Sequence, residues 1–144
     1  MLPSLDRERP SYNLKEKNLA KVFTDALMLP PSEFERLKHF KNPQKQPEGA
    51  PVGEFTAVLL SVCQNRVKNQ TQQLSLEELN SKLDNLTADK TELNLLIQSC
   101  TLLELKWLTR LILKDLKLGI GHETLLKLYH PQSLEIFNAT SDLK

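Results

Sequence analysis

Thirty leucines stand against five valines and four isoleucines in this chain. Strands draw on β-branched side chains, which suit a pleated, half-buried surface, whereas leucine loses little rotamer freedom in a helix. The imbalance predicts an all-α fold. A chain of 144 residues is one domain's worth, able to bury about two thirds of its unfolded surface, so residues 1–144 are treated as one unit with a real core.

The pattern that organises the rest runs from Thr101 to Tyr129 and predicts helix, turn, helix. Thr101 with Glu104 three positions on is the capping-box spacing, in which a hydroxyl and a carboxylate each take a backbone amide of the first turn. From there Leu105, Leu108, Leu111, Ile112 and Leu116 share one face, and Lys106, Arg110, Lys114 and Lys117 fall between them. The helix is expected to stop at or just after Lys117. Gly119 and Gly121 supply the tight backbone that ends helices and leave amides open to an approaching group. A second helix, His122 to Tyr129, would then present its N-terminal amides beside Lys114 and Lys117, an arrangement that suits a phosphate. The plainer alternative is two core helices joined by a glycine cap.

Elsewhere the same signals place further helices. Asn13 with Glu16 predicts a helix to about Met28, burying Leu14, Leu19, Val22, Phe23, Ala26 and Leu27, and Pro30 and Pro31 forbid its continuation. Ser32 with Glu35 predicts a short helix to about Phe40. His39 lies among lysines with no carboxylate partner evident, so it is expected to be solvated. Residues 41–53 hold three prolines and two glycines and predict a loop, read as a mobile connection. Glu54 to about Val67 predicts a helix, and residues 68–73 a polar loop. Ser75 with Glu78 caps a helix whose Leu76, Leu79, Leu83 and Leu86 form a narrow stripe, expected on a surface rather than through the core. The stretch from Asp89 is expected to bury Leu93, Leu96, Ile97 and Cys100. Pro131 predicts the first residue of a last helix, with Leu134, Ile136 and Phe137 packing inward. Residues Leu2 to Arg9 read as the tail of a helix.

Lysine and arginine number 19 against 18 acidic residues, a net charge of +1. No global field draws in nucleic acid or an anionic membrane, so any DNA binding must come from local clustering. Cys63 and Cys100 lie in apolar helical stretches without metal-ligand spacing and are expected to be buried thiols in a reducing compartment. No apolar run reaches the length of a membrane span, and no membrane partner is expected. Three scattered histidines and two distant cysteines make no metal site.

The segment Lys106-Trp-Leu-Thr-Arg-Leu-Ile-Leu-Lys-Asp-Leu-Lys-Leu-Gly119 resembles the signature near the end of the N-terminal DNA-binding domain of eukaryotic-type ATP-dependent DNA ligases, the ligase IV type in particular. A second match, Leu2-Pro-Ser-Leu-Asp-Arg-Glu-Arg9 with Tyr12-Asn-Leu-Lys-Glu16, follows the same family in the same order. The resemblance implies a partial domain, with the family's N-terminal helices and catalytic domain missing from this chain. It implies a helical domain that grips duplex DNA at nicks or ends through phosphate contacts, in the nucleus, during double-strand break repair by non-homologous end joining. It places Lys117 and Gly119 on the family's basic turn, with Lys114, Arg110 and Gly121 as neighbours. Trp107 matches too and is expected in the core. Arg7 and Arg9 could touch phosphate or pair with Asp6 and Glu8. ATP and magnesium would belong to the full-length enzyme, whose catalytic domains would be this chain's covalent partners, and no cofactor is expected here.

Ligases of this family attach AMP to the lysine of a K-x-D-G motif, and Lys82-Leu-Asp-Asn85 is a near miss. Asn85 replaces the glycine, the tetrad lies inside the Ser75-capped helix, and too little chain follows to build a nucleotide pocket. No catalytic residue is assigned, and the chain is expected to be inactive alone. An alternative of another class is a helical protein-interaction module without DNA binding, whose leucine stripes take partner helices.

Overall fold

The computed structural model describes Tyr12 and residues 14–67, 75–85 and 90–140. Among these the chain forms eight α-helices and no strand: α1 (Glu16–Leu27), α2 (Pro31–Lys38), α3 (Phe55–Cys63), α4 (Leu76–Asn85), α5 (Lys90–Ser99), α6 (Leu102–Ile112), α7 (His122–Tyr129) and α8 (Ser133–Thr140). One hydrophobic core joins α1, α2, α3, α5 and α6, with Leu83 added from α4. In it α1 packs on α5 and α2, and α3 packs on α6 and α2.

Helix α1 turns Leu19, Ala20, Val22, Phe23 and Ala26 inward. Its end is a left-handed Met28, φ 49°, and the Leu29 amide donates back to the Thr24 carbonyl at 3.0 Å. The Asn13 cap lies outside the described residues, as do Leu2 to Arg9, residues 68–73 and Leu86. Helix α2 begins one residue before the expected Ser32 cap. Pro30 is its N-cap and Pro31 its first residue, where a fixed φ is pre-organised for the helix and the missing N–H costs nothing. Glu35, freed from capping, lies 3.4 Å from His39 Nε2 and 3.3 Å from Lys38 Nζ. His39 thus has the carboxylate neighbour that the sequence did not reveal, on an exposed face.

Residues 41–53 are anchored rather than loose. A 3-10 turn, Pro43–Lys45, is capped by Asn42, and the Gly53 amide donates to the Phe40 carbonyl at 2.9 Å. Gln46 Nε2 donates to the Arg36 carbonyl at 2.9 Å, and Arg36 in turn donates to Glu33, Gln46 and Ser61. Helix α3 ends at Cys63, four residues short of the expected Val67. The chain tightens there into a turn, with the Arg66 and Val67 amides both on the Cys63 carbonyl.

The Ser75–Glu78 capping box forms, with bonds of 3.0 and 3.1 Å. Leu83 is 2% exposed, so the α4 stripe reaches the core instead of lying on a surface. Leu93, Leu96, Ile97 and Cys100 are buried as expected. Each fully buried leucine stabilises the fold by about 1.5–3 kcal/mol relative to exposure.

The C-terminal hairpin stands apart from this core. Helices α7 and α8 pack on each other, with His122 and Phe137 edge to face at 6.5 Å. Among the described residues, no hydrophobic side chain beyond Leu113 belongs to the core cluster or packs against it. Helix α8 starts two residues later than Pro131 suggested, because the His130 ring accepts from the Gln132 amide and its carbonyl from the Ser133 amide. Ile136 is 52% exposed, contrary to the inward face expected for it.

Candidate nucleic-acid interface

Helix α6 opens as the sequence dictates. Thr101 accepts from the Glu104 amide at 3.3 Å, and Glu104 accepts from the Thr101 amide at 2.7 Å. Leu105, Leu108 and Ile112 are then driven into the core. The helix stops at Ile112, five residues before the expected Lys117.

Side chains, not glycine, make that stop. Lys114 adopts a left-handed backbone, φ 55°, and the Asp115 amide donates to the Arg110 carbonyl at 3.0 Å, closing a Schellman-type end. Arg110 Nη1 then donates to the Leu116 carbonyl at 3.2 Å, and Asp115 Oδ1 accepts from the Lys117 amide at 3.2 Å. Lys117 is left-handed too, φ 53°, and Gly119 follows at φ 74°. For a non-glycine residue this conformation costs about 1–2 kcal/mol, so the turn is held by its side-chain bonds.

Gly121 is not left-handed. It is the extended N-cap of α7, which no side chain caps. A Cβ at Gly119 or Gly121 would meet nothing within 4 Å, so both face open space.

The five residues singled out from the sequence separate here. Lys117 is exposed on the turn, and its Nζ lies 2.7 Å from Asp115 Oδ2. That contact raises the Lys117 pKa and, chiefly through the same hydrogen bond, lowers that of Asp115. Arg110 is turned inward: its side chain is 13% exposed and its Nη2 lies 3.0 Å from Glu54 Oε1 at the start of α3. Lys114 is half-buried at the helix end. Gly119 and Gly121 lie beyond, in the exposed connection to α7.

Trp107 is 39% exposed, not core as expected, with Lys106 Nζ and the Arg110 guanidinium 5.5 and 5.6 Å from its ring. Leu103, one turn earlier on α6, is 64% exposed. Sequence reasoning missed Asp115 and Glu54. Asp115 was visible two residues before Lys117, whereas nothing local marks Glu54 as the partner of Arg110.

Lys82 and Asp84 of the K-L-D-N tetrad are exposed on α4, and Leu83 between them is core. Among the described residues no group of three His, Cys, Asp or Glu side chains could hold a metal ion, and no helix is long and apolar enough to cross a membrane.

The sequence pattern of the family described as DNA ligase N terminus matches residues 1–130, from before α1 to the end of α7. DNA ligase 4 of Arabidopsis thaliana is 40% identical over 152 residues, covering all of this chain and 12% of the relative. DNA ligase 4 of Dictyostelium discoideum is 37% identical over 155 residues, covering all of this chain and 14% of the relative. DNA ligase 4 of Homo sapiens is 33% identical over 153 residues, again covering all of this chain and 17% of the relative. The chain thus spans less than a fifth of the length of these relatives. A family match that spans residues 1–130, together with relatives 33–40% identical over the whole chain, makes this chain a member of the DNA ligase N-terminus family, alongside the DNA ligase 4 proteins.

Proposed function

We propose that this chain is the duplex-gripping portion of a ligase IV-like, ATP-dependent DNA ligase that acts in the nucleus, sealing double-strand breaks by non-homologous end joining. The observation that carries the reading is the family match over residues 1–130, which includes the basic turn. Lys117 offers an exposed cation held by Asp115 at 2.7 Å, Gly119 and Gly121 leave room for a strand to approach, and no side chain caps the amides at the start of α7. Amides at a helix start and a nearby lysine recognise phosphate, not bases, so the contact positions the duplex without reading its sequence. Catalytic domains of the full-length ligase, with ATP and magnesium, would supply the chemistry.

Titration of unrelated duplexes across a salt series tests this. Affinity should be similar for all of them and fall steeply, with a log-log slope of about −0.9 per phosphate contact. A second reading has an observation in its favour: Leu103, Trp107, Leu128, Tyr129 and Ile136 are exposed on α6, α7 and α8, as a helical protein-interaction module would require. A salt-independent response, or no duplex binding, would favour that module.

A further inference from the structure

Lys117 is held twice by one neighbour. Asp115 Oδ1 accepts from the Lys117 amide at 3.2 Å, and Asp115 Oδ2 lies 2.7 Å from the Lys117 ammonium. The first contact is the local bond by which an aspartate fixes a turn two residues on, and here it supports the left-handed backbone of Lys117, φ 53°. The second neutralises the side chain that the turn offers. Glu54, the other carboxylate whose field raises the Lys117 pKa, is engaged by Arg110 at 3.0 Å. Asp115 is thus both the support of Lys117 and the anion that occupies it.

Both side chains of the pair are more than half exposed, 55% for Lys117 and 53% for Asp115. An ion pair in that setting is screened by water and salt and is readily exchanged. The amide bond differs, because it ties the carboxylate to backbone and does not depend on where the ammonium points. Lys117 can therefore leave Oδ2 while Oδ1 still holds its backbone in place. Whatever replaces the carboxylate must out-compete an anion tethered two residues away, whose effective concentration a small free anion does not match. A duplex can, because its phosphates present about one charge per 1.7 Å of helix axis.

We propose that Asp115 is a positioning residue for the DNA contact of Lys117: one carboxylate oxygen fixes the backbone that presents the ammonium, and the other occupies the ammonium until a duplex phosphate displaces it. The exchange is of one anion for another on the same lysine, with no proton moved. It lowers the affinity of the empty turn for small anions and reserves Lys117 for a polyanion. This inference rests on the DNA-binding reading above.

Fluorescence anisotropy of nicked duplexes of unrelated sequence, titrated with the chain and its variants at constant ionic strength, tests it. Asp115→Asn keeps an oxygen for the Lys117 amide and removes the charge, so it should tighten every duplex about two- to fivefold, the range of an exposed ion pair. In the Lys117→Ala background the same change should add little, and this coupling separates competition for Lys117 from plain repulsion of DNA by a carboxylate. Asp115→Ala removes the backbone bond as well and should bind about three- to tenfold more weakly than Asp115→Asn. If Lys117→Ala binds more weakly but Asp115→Asn binds no tighter, the competitor role is overturned and the DNA reading stands. An equal gain in both backgrounds would overturn that role too, and Asp115→Ala matching Asp115→Asn would overturn the backbone support. Lys117→Ala without effect, or no duplex binding by any of these chains, would instead contradict the DNA reading itself.

Discussion

Arg110 on α6 donates from Nη2 to Oε1 of Glu54, 56 residues earlier at the start of α3, across 3.0 Å. From Nη1 it also holds the Leu116 carbonyl. One guanidinium therefore fixes both the α3–α6 contact and the turn that follows. Arg110→Ala and Glu54→Ala should each destabilise the fold by about 1–2 kcal/mol, less than a fully buried pair would because Glu54 is 39% exposed. Urea unfolding of both single variants and the double variant measures this, with a coupling energy of about 1 kcal/mol expected. Strict additivity would mean that the pair contributes nothing as a pair.

Met28 ends α1 in the left-handed conformation while 81% exposed. Glycine adopts that conformation without the Cβ penalty, although it also gains freedom in the unfolded chain. Met28→Gly should stabilise the protein by about 0.5–1 kcal/mol, a rise of a few degrees in Tm. A lower Tm would show that the exposed side chain does more than the backbone implies.

How much of this was legible in the sequence depends on how local each cause is. The capping boxes at Thr101 and Ser75 each lie within four residues, and both form as read. The leucine spacing identified Leu105, Leu108 and Ile112 as core. The end of α6 was misplaced because it is made by Arg110 and Asp115 bonding to backbone, a stop that looks like ordinary helical charge in a sequence. The exposure of Trp107 depends on what does not pack against α6, and periodicity carries no record of that. At the site, Lys117 and Gly119 were readable from a short motif. The tertiary partner of the turn was not: Glu54 reaches Arg110 only because α3 packs on α6.

Burial pushes the thiols of Cys63 and Cys100 up from 9.0 to about 12. Because the folded state favours the protonated thiol, this contribution to stability is complete below pH 9 and is lost as pH rises towards 12. Chemical unfolding across that range should show stability falling, and thiol reagents at neutral pH should label either cysteine only as fast as the chain opens. Immediate labelling of the folded chain would contradict the burial.

Incubated with ATP and magnesium, the chain should acquire no covalent AMP by mass spectrometry. A lysine nucleophile needs a pocket that lowers its pKa and neutralises the leaving pyrophosphate. Lys82 is exposed on a helix surface. An adduct that disappeared in Lys82→Ala would make the K-L-D-N tetrad an active site.

The central claim is that the basic turn holds a phosphate, and the salt slope of Lys117→Ala tests it most directly. The variant should bind unrelated duplexes more weakly by the same factor, with a slope shallower by about one unit, because a lost phosphate contact removes counterion release but no base information. Lys82→Ala, on another helix, should leave both affinity and slope unchanged. An unaltered slope in Lys117→Ala, or an equal loss from Lys82→Ala, would contradict the assignment of this turn to DNA.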